Sequence, residues 1–203
     1  MSWQASPNSR WSVAYGYHSQ MPPLPILTKR EETSPGVFEQ TNANLDFMRS
    51  HHMVVGYDRR LGSDWRLNAE AYLQALTDVP VESVSSSYSV LNEGADFVFE
   101  EKGSLVNEGT GRNYGIELTL EKFFSKGYYG LLTTSIFDAS YVGSDGVRRS
   151  TGFDNGYVLN ALVGREWKVG KDGRNAITFD TKVATSGGRP YTPIDLDATR
   201  ANA

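Results

Sequence analysis

The sequence predicts an all-β fold: an antiparallel up-and-down meander of about seven strands, a partial segment of a transmembrane β-barrel. Three observations predict it. Apolar residues recur with a period of two in seven separate stretches. The connections between those stretches run long, short, long, short, medium, short. Charged residues are missing from the middle of every apolar face. Alternation with β-branched and aromatic residues marks a half-buried strand. One-sided long connections are the habit of outer-membrane barrels, with brief turns on one side and extended loops on the other.

Taken in order, Ser9 to His18 carries Trp11, Val13, Tyr15 and Tyr17 on one face and Ser12, Ala14, Gly16 and His18 on the other. Residues 19–50 read as a long loop rich in proline and charge. His51 to Arg60 sets Met53, Val55 and Tyr57 against His52, Gly56, Asp58 and Arg60, and Leu61-Gly62-Ser63-Asp64 turns it sharply. Trp65 to Leu76 alternates most strictly, with Trp65, Leu67, Ala69, Ala71, Leu73 and Ala75 opposite Arg66, Asn68, Glu70, Tyr72 and Gln74. A second long loop is expected at 77–112. From Asn113 a strand places Tyr114, Ile116, Leu118 and Leu120 against Glu117, Thr119 and Glu121. The polar turn Phe124-Ser125-Lys126-Gly127 then leads into a run whose apolar parity reads Tyr129, Leu131, Thr133, Ser135, Phe137 and Ala139. After a loop at 142–155, Gly156 to Trp167 offers Tyr157, Leu159, Ala161 and Val163, and Ala176 to Ser186 offers Ile177, Phe179, Thr181 and Val183. No helical period is sustained anywhere.

Composition narrows the function. The chain has 203 residues, no Cys and a formal net charge of −4. The absence of Cys excludes a disulfide framework and a thiolate metal site. The charge offers no basic footprint for nucleic acid, which is not an expected partner. No run reaches the roughly 18 apolar residues of a spanning helix. The mean hydropathy of −0.43 does not argue against a membrane barrel, because half of each barrel strand faces a polar lumen. The N-terminal residues lack the basic and apolar regions of a secretion signal.

The apolar faces must meet either a soluble core or lipid. An Arg or Lys at the bilayer midplane costs roughly 2–4 kcal/mol, so lipid would empty the mid-strand positions of charge. The charges that share the apolar parity, Arg59, Lys122 and Arg165, lie at the short-turn ends, where long cationic side chains can snorkel to headgroups. Trp11, Tyr57, Trp65, Tyr129 and Trp167 gather on the same side, as an interfacial aromatic girdle would.

Several stretches resemble the barrel region of TonB-dependent outer-membrane receptors of the type common in Bacteroidetes. They are Gly16-Tyr-His-Ser-Gln20, Ser50-His-His52 with Gly56-Tyr-Asp58, and Leu91-Asn-Glu-Gly-Ala-Asp-Phe97. To these are added Leu105-Val-Asn-Glu-Gly109 running into Asn113-Tyr-Gly-Ile-Glu-Leu118, and Gly188-Arg-Pro-Tyr-Thr-Pro193. The resemblance implies a barrel of about 22 strands around a plug domain, with a segment that binds TonB, in the cell outer membrane of a Gram-negative bacterium. It implies uptake of a scarce ligand such as a siderophore, cobalamin, an oligosaccharide or a peptide. The expected partners are outer-membrane lipid, the plug, TonB and a surface lipoprotein. Plug, TonB-binding segment, signal peptide and terminal barrel strand are not recognisable in residues 1–203, so the sequence is expected to be an incomplete barrel segment of one receptor.

Three groups of residues are candidates for a site. His18 and His52 share the lumen-facing parity at the pore rim. Direct pairing of His18 with His52, which would set Gly16 against Val54 and Ser12 against Asp58, would stack two imidazoles able to hold a metal chelate. The alternative is two rim histidines hydrogen-bonded to loop backbone or water. The row Arg66, Glu70, Glu117, Glu121, Glu166, Asp180 and Lys182 would face the plug or form a hydrated barrel wall. The 77–112 loop, with Asp78, Glu82, Glu93, Asp96, Glu100, Glu101 and Glu108 against Lys102 and Arg112, would attract a cation or Ca²⁺, or be a solvated acidic surface. Its spacing matches no EF-hand loop.

No enzyme is expected. No G-x-S-x-G or H-E-x-x-H spacing occurs, and the adjacent His18 and Ser19 point to opposite faces of their strand. No cofactor motif is present. A barrel hydrolase and a soluble lipocalin-like barrel with an apolar ligand are the rival readings. The lipocalin reading requires Leu67, Leu73, Ile116 and Leu118 to converge on a shared interior.

Overall fold

The computed structural model describes residues 1–93 and 102–190. Eight strands follow one another as neighbours in one antiparallel sheet: β1 (Ser2–Ser6), β2 (Ser9–Gln20), β5 (Met48–Leu61), β6 (Trp65–Glu82), β7 (Leu105–Ser125), β8 (Tyr128–Val142), β10 (Tyr157–Val169) and β11 (Asn175–Ser186). A ninth, β9 (Arg148–Ser150), pairs with β8 beyond the main path. A separate hairpin, β3 (Glu31–Ser34) with β4 (Val37–Glu39), and one short helix, α1 (Leu24–Thr28), lie between β2 and β5. The outer strands β1 and β11 do not pair with each other. The sheet is therefore an open meander, consistent with part of a β-barrel.

All seven expected strands are present, and two extend well beyond their expected ends. β6 and β7 run on into the stretch read as the 77–112 loop. Register shifts at Leu76/Val79 and Val79/Val81 insert extra residues there. Asp78 adopts φ 57°, a left-handed conformation that Asp tolerates better than most residues. Such bulges break the period of two, so the strand outlasts its own sequence signal. β1 and β9 carried too few residues to show a period.

The register sorts the sheet into two faces. Trp11, Val13 and Tyr15 oppose Tyr57, Val55 and Met53. Across β6 these meet Ala69, Ala71 and Leu73, which in turn meet Leu118, Ile116 and Tyr114. Ile116 opposes Ile136, and the stripe continues through Leu132, Ala161 and Val183. Much of this stripe is exposed, including Val13, Met53, Leu73, Ile116, Ile136 and Val163.

One parity reading is corrected here. On β8 the residues aligned with Leu118 and Ile116 are Thr134 and Ile136, while Ser135 opposes Glu117 and Leu131 opposes Glu121. Tyr129, Leu131, Thr133, Ser135, Phe137 and Ala139 thus lie on the polar face. Both parities of β8 are rich in apolar and hydroxyl residues, so alternation within this strand could not choose between them. The bulge between Lys122 and Ser125 decided the matter by shifting the hairpin by one residue.

The buried apolar cluster sits at the long-connection end. Ile26, Met48, Val79, Tyr88, Val90 and Leu105 form it, with Leu45, Leu76 and Leu91 packed against it. Asn42, fully buried, donates to the Gly103 carbonyl and accepts from the Leu105 N–H, tying the 21–47 connection to the start of β7.

Candidate functional site

The polar face carries every candidate residue of the first two groups. His18 opposes Ser50, and His52 opposes Gly16, so the expected direct pairing of the two histidines is displaced by two residues. Likewise Ser12 meets Gly56, not Asp58. A connection of 27 residues between β2 and β5 leaves register free of any turn constraint. Across the pair the Ser12 hydroxyl occupies the space a side chain at Gly56 would need, and within β2 the His18 ring lies over Gly16. His52 packs edge-on against Tyr72 with ring centroids 6.3 Å apart. No group of three His, Cys, Asp or Glu side chains suited to a metal exists among the described residues.

Beside His18 a polar ladder crosses three strands. Gln74 Nε2 donates to Ser50 Oγ at 2.9 Å, and Asn113 Nδ2 donates to Gln74 Oε1 at 2.8 Å. A cavity of about 160 Å³ lies above it, lined by His18, Gln20, Met48, Ser50, Gln74, Leu76 and Leu91 among others. Leu91 reaches it from a single 3₁₀ turn, Val90–Asn92, and packs near Leu76 over Gly111, where only a glycine leaves room. Among the described residues, the long connections therefore fold over the polar face and leave much of the apolar stripe exposed. Sequence reasoning found His18 but missed the ladder and its cap. The shared even parity of Ser50 and Gln74 was the available signal.

The charged row lies where its parity placed it. Arg66 Nε donates to Asp58 Oδ2 at 2.7 Å, and its Nη2 forms an ion pair with the same oxygen at 2.6 Å. Glu121 faces Arg66 across the β6–β7 pair, and Glu70 faces Glu117. Glu166 lies 3.8 Å from Lys168. Asp180 accepts from the Tyr129 hydroxyl at 2.6 Å, the Tyr129 ring lying over Gly164. Lys182 opposes Leu162.

The acidic loop looks different from its expectation. Asp78 and Glu82 belong to β6, Glu108 and Arg112 to β7, and Asp78 pairs with Arg49 at 3.5 Å. Asp96, Glu100 and Glu101 lie outside the described residues.

At the short-turn end the apolar face is edged by aromatics and cations. Trp11 stacks on Tyr57 at 4.6 Å, and Arg165 lies over Trp167 at 4.9 Å. Lys122, expected to snorkel outward, is instead 5 % exposed. Its ammonium sits 4.1 Å from the Tyr128 ring and donates to Ser125 Oγ and to the carbonyls of Phe123 and Tyr128. Tyr128, not Tyr129, belongs to this aromatic edge. Next to it, hydrogen bonds from Ser125 and then Ser63 hold the Asp64 carboxyl below its ordinary pKa.

The class of protein this arrangement defines is an antiparallel β-meander with one apolar and one polar face, consistent with a partial β-barrel. No family model and no curated protein matches the sequence. A solved structure similar to it is the FrpB iron transporter from Neisseria meningitidis (F3-3 variant), at 14 % identity and a TM-score of 0.48. The match covers 90 % of this chain and 30 % of that one, so the chain spans under a third of the transporter's length.

Proposed function

We propose that the chain is part of the barrel of an outer-membrane TonB-dependent receptor that imports a scarce ligand. The observation that carries this reading is the height of the apolar band, which on β5 and β7 holds no charge between its bounding cations. On β5 the band is bounded by Arg49 and Arg59, and on β7 by Arg112 and Lys122, in each case ten residues apart. Ten residues at about 3.4 Å, tilted about 45°, rise about 24 Å. That matches the roughly 25 Å apolar belt of outer-membrane barrels. Asp138, which shares the apolar parity on β8, opposes Tyr114 near the loop-side limit of the band. In a lipocalin-like barrel the loops and core would cover the apolar stripe; the cap over the polar face argues against that rival.

The finer parts rest on the sequence motifs: the Bacteroidetes type, a plug against the charged row, TonB, a surface lipoprotein, and a non-enzymatic role. On this reading His18 and His52 stand near the loop-side mouth, beneath the cap. The test is reconstitution into vesicles containing brominated lipid. Trp11, Trp65 and Trp167 fluorescence should be strongly quenched; unquenched tryptophans in a folded, vesicle-bound protein would refute the membrane placement.

A further inference from the structure

At the short-turn end of the polar face lies an open cavity of about 420 Å³ lined by Gln4, Pro7, Asn8, Ser9, Arg10, Asp58, Arg60, Arg66 and Phe123. Three arginines line it against one carboxylate residue, Asp58, with Glu121 facing Arg66 from β7 beside it. The register explains why this is unusual. Arg60 directly opposes Arg66, and Arg10 directly opposes Asp58. Like charges opposite one another destabilise a sheet pair unless something neutralises them. Asp58 is already engaged by both Nε and Nη2 of Arg66 through a single oxygen. Neither the Arg10 nor the Arg60 guanidinium has a carboxylate partner among the described residues. The excess positive charge gathers here although the whole chain carries −4.

We propose that Arg10, Arg60 and Arg66 form a binding site for a polyvalent oxyanion, a phosphate- or carboxylate-bearing solute taken from the aqueous side of the sheet. Guanidinium forks suit planar or tetrahedral oxyanions because two parallel N–H donors match two oxygens. The cavity falls in the size range of small-molecule clefts and is far larger than the share of space of one water, about 30 Å³. Its walls belong to the polar face, so the anion comes from solution and not from a lipid headgroup beside the apolar stripe. The inference stands on the cavity alone and does not depend on the import reading.

Inorganic pyrophosphate, titrated calorimetrically into the full chain in zwitterionic detergent-lipid micelles, is the probe. Saturable binding is expected below about 10 mM, weakening as NaCl rises. Arg10→Gln and Arg60→Gln should each weaken it about tenfold, the scale of one charge-assisted hydrogen bond. Lys182→Gln, on the same face but on β11, should leave it unchanged. A readout that needs no variant is protection of Arg10 and Arg60 from phenylglyoxal by pyrophosphate, followed by peptide mass. No saturable binding, equal loss in Lys182→Gln, or no protection would overturn the proposal. So would enrichment of anionic lipid that depends on Arg10 and Arg60 without any binding of pyrophosphate.

Discussion

Lys122 shows how one side chain can hold a turn at the edge of the apolar face. Its ammonium is a donor to Ser125 Oγ and to neighbouring carbonyls, and it lies against Tyr128. Lys122→Ala should therefore cost about 2–3 kcal/mol, since it strands acceptors that had a charged donor. A urea titration of the refolded protein would register this, and Lys126→Ala, in the adjacent turn, should stay within about 0.5 kcal/mol. Asp64 accepts from Ser125 in the same cluster, and its folded pKa is depressed. The sign follows from that direction. The carboxylate's contribution is complete above the ordinary Asp pKa of about 4 and is lost as pH falls through the lower folded value. Asp64→Asn should flatten the acid limb of the stability–pH curve below about pH 4; an unchanged acid limb would remove Asp64 from the account.

At the scale of strands, the two faces answer differently to the same substitution. Ile116 stands mid-band on the exposed apolar face, and Glu117 follows it on the polar face. Ile116→Arg should cost about 2–4 kcal/mol in lipid, because a cation at the belt's centre loses its hydration. Glu117→Arg should cost far less, since it would even relieve the opposition to Glu70. Equal costs, measured by urea titration in vesicles, would contradict the lipid-facing assignment. Gly164 is a different kind of constraint. The Tyr129 ring lies over it and delivers its hydroxyl to Asp180. Gly164→Val should cost about 1–3 kcal/mol by overpacking and should break that hydrogen bond, observable as a red-edge change in Tyr absorbance.

For the molecule as a whole, the sheet and its cap are held by different forces. Strand pairing is continuous from β1 to β11, whereas the described part of the cap rests on a small apolar cluster and on side-chain hydrogen bonds such as those of Asn42 and Asn107. Asn42→Ala leaves the Leu105 N–H and the Gly103 carbonyl without their side-chain partner, a loss of about 1–3 kcal/mol per buried group. Limited proteolysis should then cut within 21–47 while the sheet survives. Loss of the entire β signal by circular dichroism would show that cap and sheet are one cooperative unit.

Alternation made much of this readable in advance. Which side chains of β2, β5, β6 and β7 share a face follows from the backbone alone, because successive residues of any strand point to opposite sides. The asymmetry of connections and the empty middle of the apolar stripe were visible for the same local reason. His18, Arg66 and Asp180 could be given a face, but not a neighbour. Neighbours depend on register between strands far apart in the chain, and that register goes with glycines filled from across the sheet, the bulge after Lys122, and the bulges near Asp78. The convergence of Arg10, Arg60 and Arg66, and the folding of the long connections over the polar side, exist only once the strands have been placed side by side.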